Sequence, residues 1–242
     1  MKNIMITGAS HGIGKAAAKA LAAPDVRLFL NCAHSGELLR DFCGRLAAES
    51  GCICVPLIAD VADAAQVEAM FEKVRAHTRR VDVLINAAGI AYRGLLQDTA
   101  PEDWNRVIAT NLTGIYLTCR QVIPHMVREH SGKIINISSV WGSAGAAGEA
   151  AYATAKGGVN ALTRSLAKEL APSNIQVNAI ACGLIDTRMN DCLTDEEKQA
   201  LLAEIPAGRA GTAAEAAALI RDLACGHPYL TGQIITLDGG WI

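Results

Sequence analysis

The chain of 242 residues carries a formal net charge of −2, with 51% hydrophobic and 19% charged residues. This composition favours a folded core, excludes a disordered chain, and offers no basic excess for nucleic acid or a membrane surface. No apolar run is long enough to span a membrane, and no signal-peptide pattern precedes the first predicted strand. We therefore expect a cytoplasmic protein with neither a nucleic-acid nor a membrane partner.

Short apolar runs alternate with longer stretches of helical periodicity along the chain. Runs that are almost continuous in Ile, Val and Leu are typical of strands covered on both faces, so the alternation predicts a parallel sheet with right-handed crossovers. The predicted strands are Asn3–Ile6, Val26–Asn31, Cys52–Leu57, Val81–Asn86, Lys133–Ser138, Ile175–Ile180 and Gln233–Leu237. The predicted helical stretches include Gly12–Ala22, Ala64–His77, Pro101–Arg128 and Tyr152–Leu170.

The first predicted strand runs into Thr7–Gly14, sequence TGASHGIG, which opens a helix. Glycines at the spacing G-x-x-x-G-x-G allow a tight turn, a close approach of backbone to a pyrophosphate, and close packing of helix on strand. The helix N-terminus adds unpaired N–H groups and the positive end of its dipole. This loop predicts a dinucleotide site, whose expected contacts are Gly8, Ser10, His11, Gly12, Ile13 and Gly14.

Tyr152 and Lys156 are four residues apart in a predicted helix and therefore share a face. A carbonyl that accepts a hydride also needs a proton, and the ordinary pKa of tyrosine, about 10, is too high for easy proton transfer near pH 7. A neighbouring ammonium lowers that pKa because it favours the phenolate. This spacing also occurs by chance, but its place after Ser139 and behind the predicted dinucleotide loop favours an oxidoreductase that interconverts a ketone and an alcohol, with Tyr152 as the proton donor.

The composition changes around Asp191–Arg209, which is more charged than its surroundings and contains Pro206 and Gly208. In a doubly wound sheet, an insertion at this place follows the carboxyl end of a strand, where ligands bind. We predict a small substrate lid at about residues 188–210 on this ground. The alternative is a plain solvated pair of helices.

Cysteine and histidine spacing bears on disulfides and metals. The chain has eight cysteines and six histidines, and it contains neither a C-x-x-C pair nor an H-E-x-x-H pattern. Disulfide frameworks belong mainly to small secreted proteins, so we expect free thiols. Because the spacing of metal-binding motifs is missing, we also expect no metal. The cysteines are Cys32, Cys43, Cys52, Cys54, Cys119, Cys182, Cys192 and Cys225.

These motifs together resemble the short-chain dehydrogenase/reductase family over essentially the whole chain. Thr7–Gly14 is similar to the family's T-G-x-x-x-G-I-G signature, Asn86–Gly89 to its N-N-A-G motif, and Cys182–Thr187 to its P-G motif, with Cys182 in place of proline. The resemblance implies one Rossmann-type α/β domain over residues 1–242, doubly wound around a seven-stranded parallel sheet of order 3-2-1-4-5-6-7, with helices on both faces. It also implies cofactor contacts at Asp60, Val61, Asn86, Ala87, Ala88, Gly89, Cys182, Gly183, Ile185 and Thr187.

Four residues match the family's catalytic tetrad at its spacings: Asn111, Ser139, Tyr152 and Lys156. The resemblance implies that Lys156 also holds the hydroxyls of the nicotinamide ribose beside Tyr152, and that Ser139 orients the carbonyl oxygen. Asn111 would anchor a water molecule next to Lys156 and complete a proton relay. A structural role for Asn111, bonding to backbone at a kink in its long helix, can hold at the same time.

The choice between NAD and NADP depends on the end of the second strand, which reads NCAHS over Asn31–Ser35. A carboxylate there would bind the ribose 2′-hydroxyl and repel a 2′-phosphate, and none is present. His11 stands where NADP users of the family often carry arginine, although it could also be a polar residue without a ligand. We expect NADP(H) to be favoured over NAD(H), with Asn31, His34 and Ser35 among its contacts.

The substrate pocket is expected to lie after Ser139 and around Cys182–Met189. Its predicted contacts are Ser139, Val140, Trp141, Tyr152, Leu184 and Met189. Most of these side chains are apolar, which suits an acyl or alkyl ketone better than a sugar. Trp141 is equally compatible with a place in the core.

Within the family the chain looks most like the 3-oxoacyl-acyl-carrier-protein reductases. Those enzymes meet the acidic acyl carrier protein with basic residues, and His130 and Ser173 occupy those places here, with Arg128 and Lys133 close by. The family also implies a homotetramer, with the helix of Tyr152 in a subunit interface.

A narrower resemblance is to the elongation factor P 5-aminopentanone reductases, over Ala181–Thr187 and Asp238–Ile242. Acyl carrier protein and elongation factor P therefore both stay open as partners. A non-catalytic NADP-binding sensor or scaffold is the remaining alternative, and it would be expected to lack the tyrosine or the lysine.

Overall fold

The computed structural model describes residues 1–191 and 193–242. Cys192, which belongs to the predicted lid and to the predicted free thiols, lies outside the described residues. Within the described ranges, seven parallel strands form one sheet of order 3-2-1-4-5-6-7, which confirms the predicted fold class and strand order. The strands are β1 (Lys2–Thr7), β2 (Val26–Cys32), β3 (Ile53–Ile58), β4 (Val83–Asn86), β5 (Gly132–Ser139), β6 (Ile175–Cys182) and β7 (Ile234–Leu237).

Helices cover both faces of this sheet. They are α1 (Gly12–Leu21), α2 (Gly36–Ser50), α3 (Ala64–His77), α4 (Pro101–Ile108), α5 (Gly114–Glu129), α6 (Trp141–Ala144), α7 (Ala150–Leu170), α8 (Asp195–Glu204) and α9 (Ala213–Cys225). Alternate strand residues point to opposite faces, so Ile4 and Ile6 pack with α1, α2 and α9, whereas Met5 packs with α3, α5 and α7. Across the described residues, no helix combines the length and the apolar character that crossing a membrane requires.

The predicted helix over Pro101–Arg128 is divided in the structure. A π-helical turn, Ala109–Thr113, separates α4 from α5. A single wide turn shifts the periodicity of a long helix only slightly, which is why the sequence pattern did not reveal it. Such turns are frequent at functional sites, and this one contains Asn111. Helices α2 and α9 lie outside the helical stretches named from the sequence.

The carboxyl ends of four strands meet at one edge of the sheet. Thr7 at the end of β1 is in register with Asn86 at the end of β4, and Ser139 at the end of β5 is in register with Cys182 of β6. The strand order reverses between β1 and β4, so the crossovers leave on opposite faces and open a crevice at this edge.

The region of the predicted lid leaves and re-enters the fold at adjacent points. Ile185–Asp186 pairs with Gly211–Thr212 in a two-residue parallel bridge. Between them, α8 begins with a capping box in which Thr194 and Glu197 satisfy each other's backbone N–H groups. Ile205, just after α8, is buried and fixes that end of the segment on the core.

Candidate active site

A cleft of about 1510 Å³ opens at this edge, between the glycine-rich loop, the ends of β4 to β6 and α8. It brings together most of the residues predicted from the sequence. Those that line it are Gly8, Ser10, His11, Gly12, Ile13, Gly14, Ser35, Ala87, Gly89, Ser139, Val140, Trp141, Tyr152, Lys156, Cys182, Gly183, Leu184, Ile185, Thr187 and Met189. Those that do not line it are Asn31, His34, Asp60, Val61, Asn86, Ala88 and Asn111.

Two of the predicted cofactor contacts turn their side chains into the protein. The amide of Asn31 donates to the carbonyl of Ala59 at 2.9 Å. The amide of Asn86 donates to Oδ1 of Asn136 at 2.9 Å, and its own Oδ1 accepts from the hydroxyl of Thr118 at 2.8 Å. A buried amide must find its partners inside the protein, so these side chains join neighbouring elements instead of facing a ligand. Only the backbone of these two residues is left to contact a cofactor, and their place among the cofactor contacts stays a prediction.

The other predicted contacts beyond the cleft wall are held by local packing or lie in solvent. The Asp60 carboxylate accepts from the N–H of Ala62 at 2.9 Å, which closes a turn after β3. Val61 is buried against Gly114 at the start of α5. His34 is exposed. These three residues lie outside the lining of the cleft, and their contacts with the cofactor stay predictions.

Thr7 holds the glycine-rich loop against the segment after β4. Its hydroxyl accepts hydrogen bonds from the N–H groups of Ala87 and Ala88, both at 3.1 Å. Gly8 has a φ of +66°, and a Cβ at this position would lie 2.7 Å from Cα of Ala88. Left-handed backbone and the neighbouring segment both exclude a side chain, so the loop presents only backbone here.

The loop end of the cleft fits a phosphate-bearing dinucleotide. Helix α1 begins after His11, whose side chain does not cap it, so the first N–H groups of the helix can bind a ligand. Ser10, His11, Ser35 and Arg188 line the cleft together with this loop. The carboxylates that line the cleft lie elsewhere, on α8 and at the start of α7. This donor set suits an anion.

Replacing Gly8 with Ala should destabilise the fold by about 1–2 kcal/mol and weaken dinucleotide binding, because the new Cβ meets Ala88 in a left-handed conformation. Urea unfolding and a fluorescence titration with NADPH measure the two effects. Gly44→Ala is the matched control, since Gly44 lies in α2 and a Cβ there would meet nothing within 4 Å. The control should be more stable than the wild type by up to about 1 kcal/mol. A Gly8→Ala variant as stable as the wild type would contradict the packing described for the loop.

Ser139, Tyr152 and Lys156 meet on the floor of the cleft. The Ser139 hydroxyl favours the phenolate of Tyr152 and so acts to lower its pKa, and Oγ of Ser139 accepts from the N–H of Trp141 at 3.2 Å. Nζ of Lys156 lies 5.5 Å from the centre of the Tyr152 ring and donates to the carbonyl of Ile137 at 2.8 Å. Lys156 is only 4% exposed, and its hydrogen bond to Ile137 holds the ammonium over the ring of Tyr152.

Burial controls the proton affinities of this group. Burial raises the pKa of Tyr152 well above its ordinary value and the Glu149 carboxylate raises it further, whereas the Ser139 hydrogen bond lowers it. Burial also lowers the pKa of Lys156 from 10.5 to about 8. The expected net lowering of the Tyr152 pKa is therefore wrong for this state, because withdrawing the phenolate from water outweighs its stabilisation by neighbours. A phenol that stays protonated at neutral pH is suited to donate a proton.

Asn111 is bonded to the segment that follows β4. Its Oδ1 accepts from the N–H of Ile90 at 3.0 Å, and its Nδ2 donates to the carbonyl of Ile90 at 2.8 Å. A Cβ on Gly89 would lie 2.7 Å from Oδ1 of Asn111 and 3.8 Å from Nζ of Lys156, so Gly89 fills the space between them. Asn111 therefore has a structural role, because both of its hydrogen bonds go to the backbone of Ile90. The water relay stays a prediction.

The outer part of the cleft contains residues that sequence reasoning missed. The ring of Trp241 packs edge-on against Trp141 at 4.9 Å, and its Nε1 donates to the Glu204 carboxylate at 3.2 Å. Trp141 is therefore half-buried at the cleft wall and does not lie in the core. Glu149 forms an ion pair with Arg93 at 3.4 Å. Only the isolated charge of Glu149 in an alanine- and glycine-rich stretch could have drawn attention to it from sequence.

A family model described as short chain dehydrogenase matches residues 2–198. This chain belongs to the short-chain dehydrogenase family. It is similar to the 3-oxoacyl-acyl-carrier-protein reductase FabG of Escherichia coli, with 38% identity over 242 residues that cover 99% of this chain and 96% of the relative. The FabG of Staphylococcus aureus is 40% identical over 240 residues, which cover 99% of this chain and 97% of that one.

A solved structure supports the same relationship. The crystal structure of a 3-oxoacyl-acyl-carrier-protein reductase from Brucella melitensis matches with a TM-score of 0.92 and 31% identity, over 99% of this chain and 90% of that one. This short-chain dehydrogenase is therefore an oxidoreductase that acts on a carbonyl group, uses a cofactor of the NAD(P) class, and is closely related to the FabG reductases.

The structure explains two residues of this chain, Cys182 at the end of β6 and Gly158 in α7. Burial raises the pKa of Cys182 to about 11, so the residue in place of the family's proline is a thiol at neutral pH and not a nucleophilic thiolate. In α7, a Cβ on Gly158 would lie 2.7 Å from Leu112 of the π turn. Close packing within the chain accounts for that glycine without a subunit interface, and the homotetramer stays a prediction.

Proposed function

We propose that this chain reduces the ketone of a 3-oxoacyl thioester with NADPH and releases the 3-hydroxyacyl product. The observation that carries the proposal is the meeting of Ser139, Tyr152 and Lys156 on the floor of a cleft that also contains the glycine-rich loop. Relatives at 38% and 40% identity, aligned over nearly their full length, are named as reductases of this substrate class. Acyl carrier protein is the partner that this proposal implies.

When bound in the cleft, NADPH would supply the hydride that the carbonyl carbon accepts. The hydroxyls of Ser139 and Tyr152 orient the carbonyl oxygen, and Tyr152 donates its phenolic proton to that oxygen as negative charge develops there. The ammonium of Lys156 stabilises the phenolate that remains and would hold the ribose hydroxyls of the cofactor. Trp141 and Leu184 exclude water from the reacting carbonyl.

We extend the proposal to cofactor preference and architecture. NADPH is preferred over NADH because no carboxylate on the described part of the glycine-rich loop or the end of β2 would repel a 2′-phosphate.

Residues 1–242 form one nucleotide-binding domain, in which the segment at about 188–210 acts as a substrate lid. The bridge between Ile185–Asp186 and Gly211–Thr212 supports this lid, since it gives the segment two adjacent anchors. The assembly is a homotetramer that pairs α7 helices.

A second candidate is the reduction of an amino-ketone carried by elongation factor P. The observation that favours it is the set of carboxylates lining the cleft, Glu149, Glu197 and Glu204, which would attract a primary ammonium. Docking of an acidic carrier has less support, because the Lys133 amine donates to the carbonyl of Gly226 and is only partly exposed. Burial lowers the pKa of Lys133, and the nearby Lys2 lowers it further.

NADPH oxidation with an acetoacetyl thioester, beside aminopentanone-modified elongation factor P, tests the two candidates. We expect turnover of the thioester. Faster turnover of the amino-ketone would replace the first candidate with the second, and activity on neither would reject both.

Glu204→Gln sharpens this comparison because the amide can still accept from Trp241 but carries no charge. Thioester turnover should change by less than about two-fold, and amino-ketone turnover should fall by about ten-fold if the carboxylate binds an ammonium. An equal loss with the two substrates would show that Glu204 only supports the packing of Trp241.

A further inference from the structure

Arg188 crosses the mouth of the cleft from the lid segment to the glycine-rich loop. It is the first residue of a short 3₁₀ turn, Arg188–Asn190, immediately after Thr187. Its Nη1 lies 2.6 Å from Nε2 of His11, although the two residues are 177 positions apart in sequence. Both residues line the cleft. This contact joins the two walls of the nucleotide end.

The contact determines which nitrogen of His11 carries a proton. A guanidinium only donates hydrogen bonds, so Nε2 of His11 must accept with its lone pair. The proton of the ring is then on Nδ1, which lies 2.9 Å from Oγ of Ser10. Partial burial lowers the pKa of His11, and the charges of Arg188 and Lys15 lower it further. His11 is therefore neutral, and the cation in direct contact with it is Arg188.

The contact with His11 uses only part of the hydrogen-bonding capacity of the Arg188 guanidinium. None of the ion pairs formed among residues 1–191 and 193–242 includes it. An arginine presents five N–H groups in a planar fork, and only one direction of that fork is used by His11. The remaining donors lie beside the uncapped start of α1, and Thr187 packs within 3.3 Å of where a Cβ on Gly12 would be. A charged fork, helix N–H groups and hydroxyls converge at this point, which suits a phosphate group.

We propose that Arg188 binds a phosphate group of the dinucleotide from the lid side of the cleft, with His11 as the acceptor that orients its guanidinium. This inference rests on the proposed use of NADPH. It assigns to the lid segment a positive charge that the glycine-rich loop, Thr7–Gly14, does not itself carry. Cofactor binding and lid position are coupled through one side chain as a consequence.

The test is the equilibrium affinity for NADPH and for NADH in the wild type, Arg188→Met and Lys198→Met, measured by cofactor fluorescence without substrate. Lys198→Met is the matched control, since it removes one positive charge from α8 outside the cleft wall. Arg188→Met should bind NADPH at least about ten-fold more weakly, and the control should bind like the wild type. Loss confined to NADPH assigns the contact to the 2′-phosphate, and equal loss for NADPH and NADH assigns it to the diphosphate.

Unchanged or tighter binding of NADPH by Arg188→Met would overturn the inference, because Arg188 would then merely close the mouth of the cleft. Failure of the wild type to bind either dinucleotide would instead overturn the proposed function. Arg188→Lys adds a second check: it retains the charge but loses the fork, so its affinity should fall between those of the wild type and Arg188→Met.

Discussion

Tyr152→Phe should lower turnover by about 100- to 10,000-fold, because the variant lacks the hydroxyl that donates a proton to the carbonyl oxygen. The ring and its packing over Lys156 remain, so the affinity for NADPH should change by less than about two-fold. This separation of chemistry from binding follows from the position of the hydroxyl. It meets Ser139 on the cleft floor, whereas the glycine-rich loop and Arg188 lie at the nucleotide end.

Steady-state turnover with an acetoacetyl thioester and a fluorescence titration with NADPH measure the two quantities. Tyr92→Phe is a suitable control because Tyr92 is partly buried in a cluster that includes Tyr152, yet it does not line the cleft. The control should retain wild-type turnover. Turnover of Tyr152→Phe within about ten-fold of the wild type would mean that another group supplies the proton. A non-catalytic sensor would show no turnover in any of the three proteins.

Lys156→Met should abolish turnover and yet make the cofactor-free protein more stable at neutral pH. Burial lowers the pKa of Lys156 from 10.5 to about 8, so folding must bury an ammonium at pH 7. That difference corresponds to about 3 kcal/mol of free energy, an order-of-magnitude figure. Methionine fills similar space without charge but leaves the carbonyl of Ile137 without this donor. The net gain in the free energy of unfolding should therefore be about 1–2 kcal/mol.

The pH dependence separates the charge effect from packing. The pKa of Lys156 is lower in the folded state, so between about pH 8 and pH 10.5 the unfolded chain binds more protons and wild-type stability rises with pH. The penalty is fully present below pH 8 and is relieved above it. The advantage of Lys156→Met should hence be largest near pH 7 and shrink toward pH 10.5 in urea unfolding. Lys168→Met, which removes an exposed charge from the same helix, controls for surface charge. An advantage that stays constant with pH would contradict the burial of the ammonium.

Much of the fold could be predicted because its signals are local. Near-continuous apolar runs mark strands that two helical layers cover, and predicted strands such as Ile175–Ile180 lie within the observed ones. The glycine spacing of Thr7–Gly14 reports a turn geometry that only a few residues determine. The i,i+4 spacing of Tyr152 and Lys156 places them on one helix face for the same reason. The strand order came from the family resemblance, since pairing partners are not encoded locally.

Side-chain direction and proton affinity could not be predicted in this way. Asn31 and Asn86 lie at strand ends next to the crevice, but the pleat and their buried partners turn them inward. The π turn around Asn111 is invisible to periodicity because it adds a single residue to one turn. Burial, which distant elements create together, reversed the expected direction of the Tyr152 pKa.

The sequence by itself determined the α/β architecture, the dinucleotide loop and the chemistry of a Tyr–Lys pair, because each depends on residues close together along the chain. The tertiary structure alone decided which distant residues share the cleft. Three contacts join segments that no periodicity relates: Arg188 with His11, the edge-on contact of Trp141 with Trp241, and the Glu204 carboxylate with Trp241. Packing of the lid and the C-terminus onto the carboxyl edge of the sheet creates these contacts, and they are the groups that face the phosphates and the substrate in the proposed reaction.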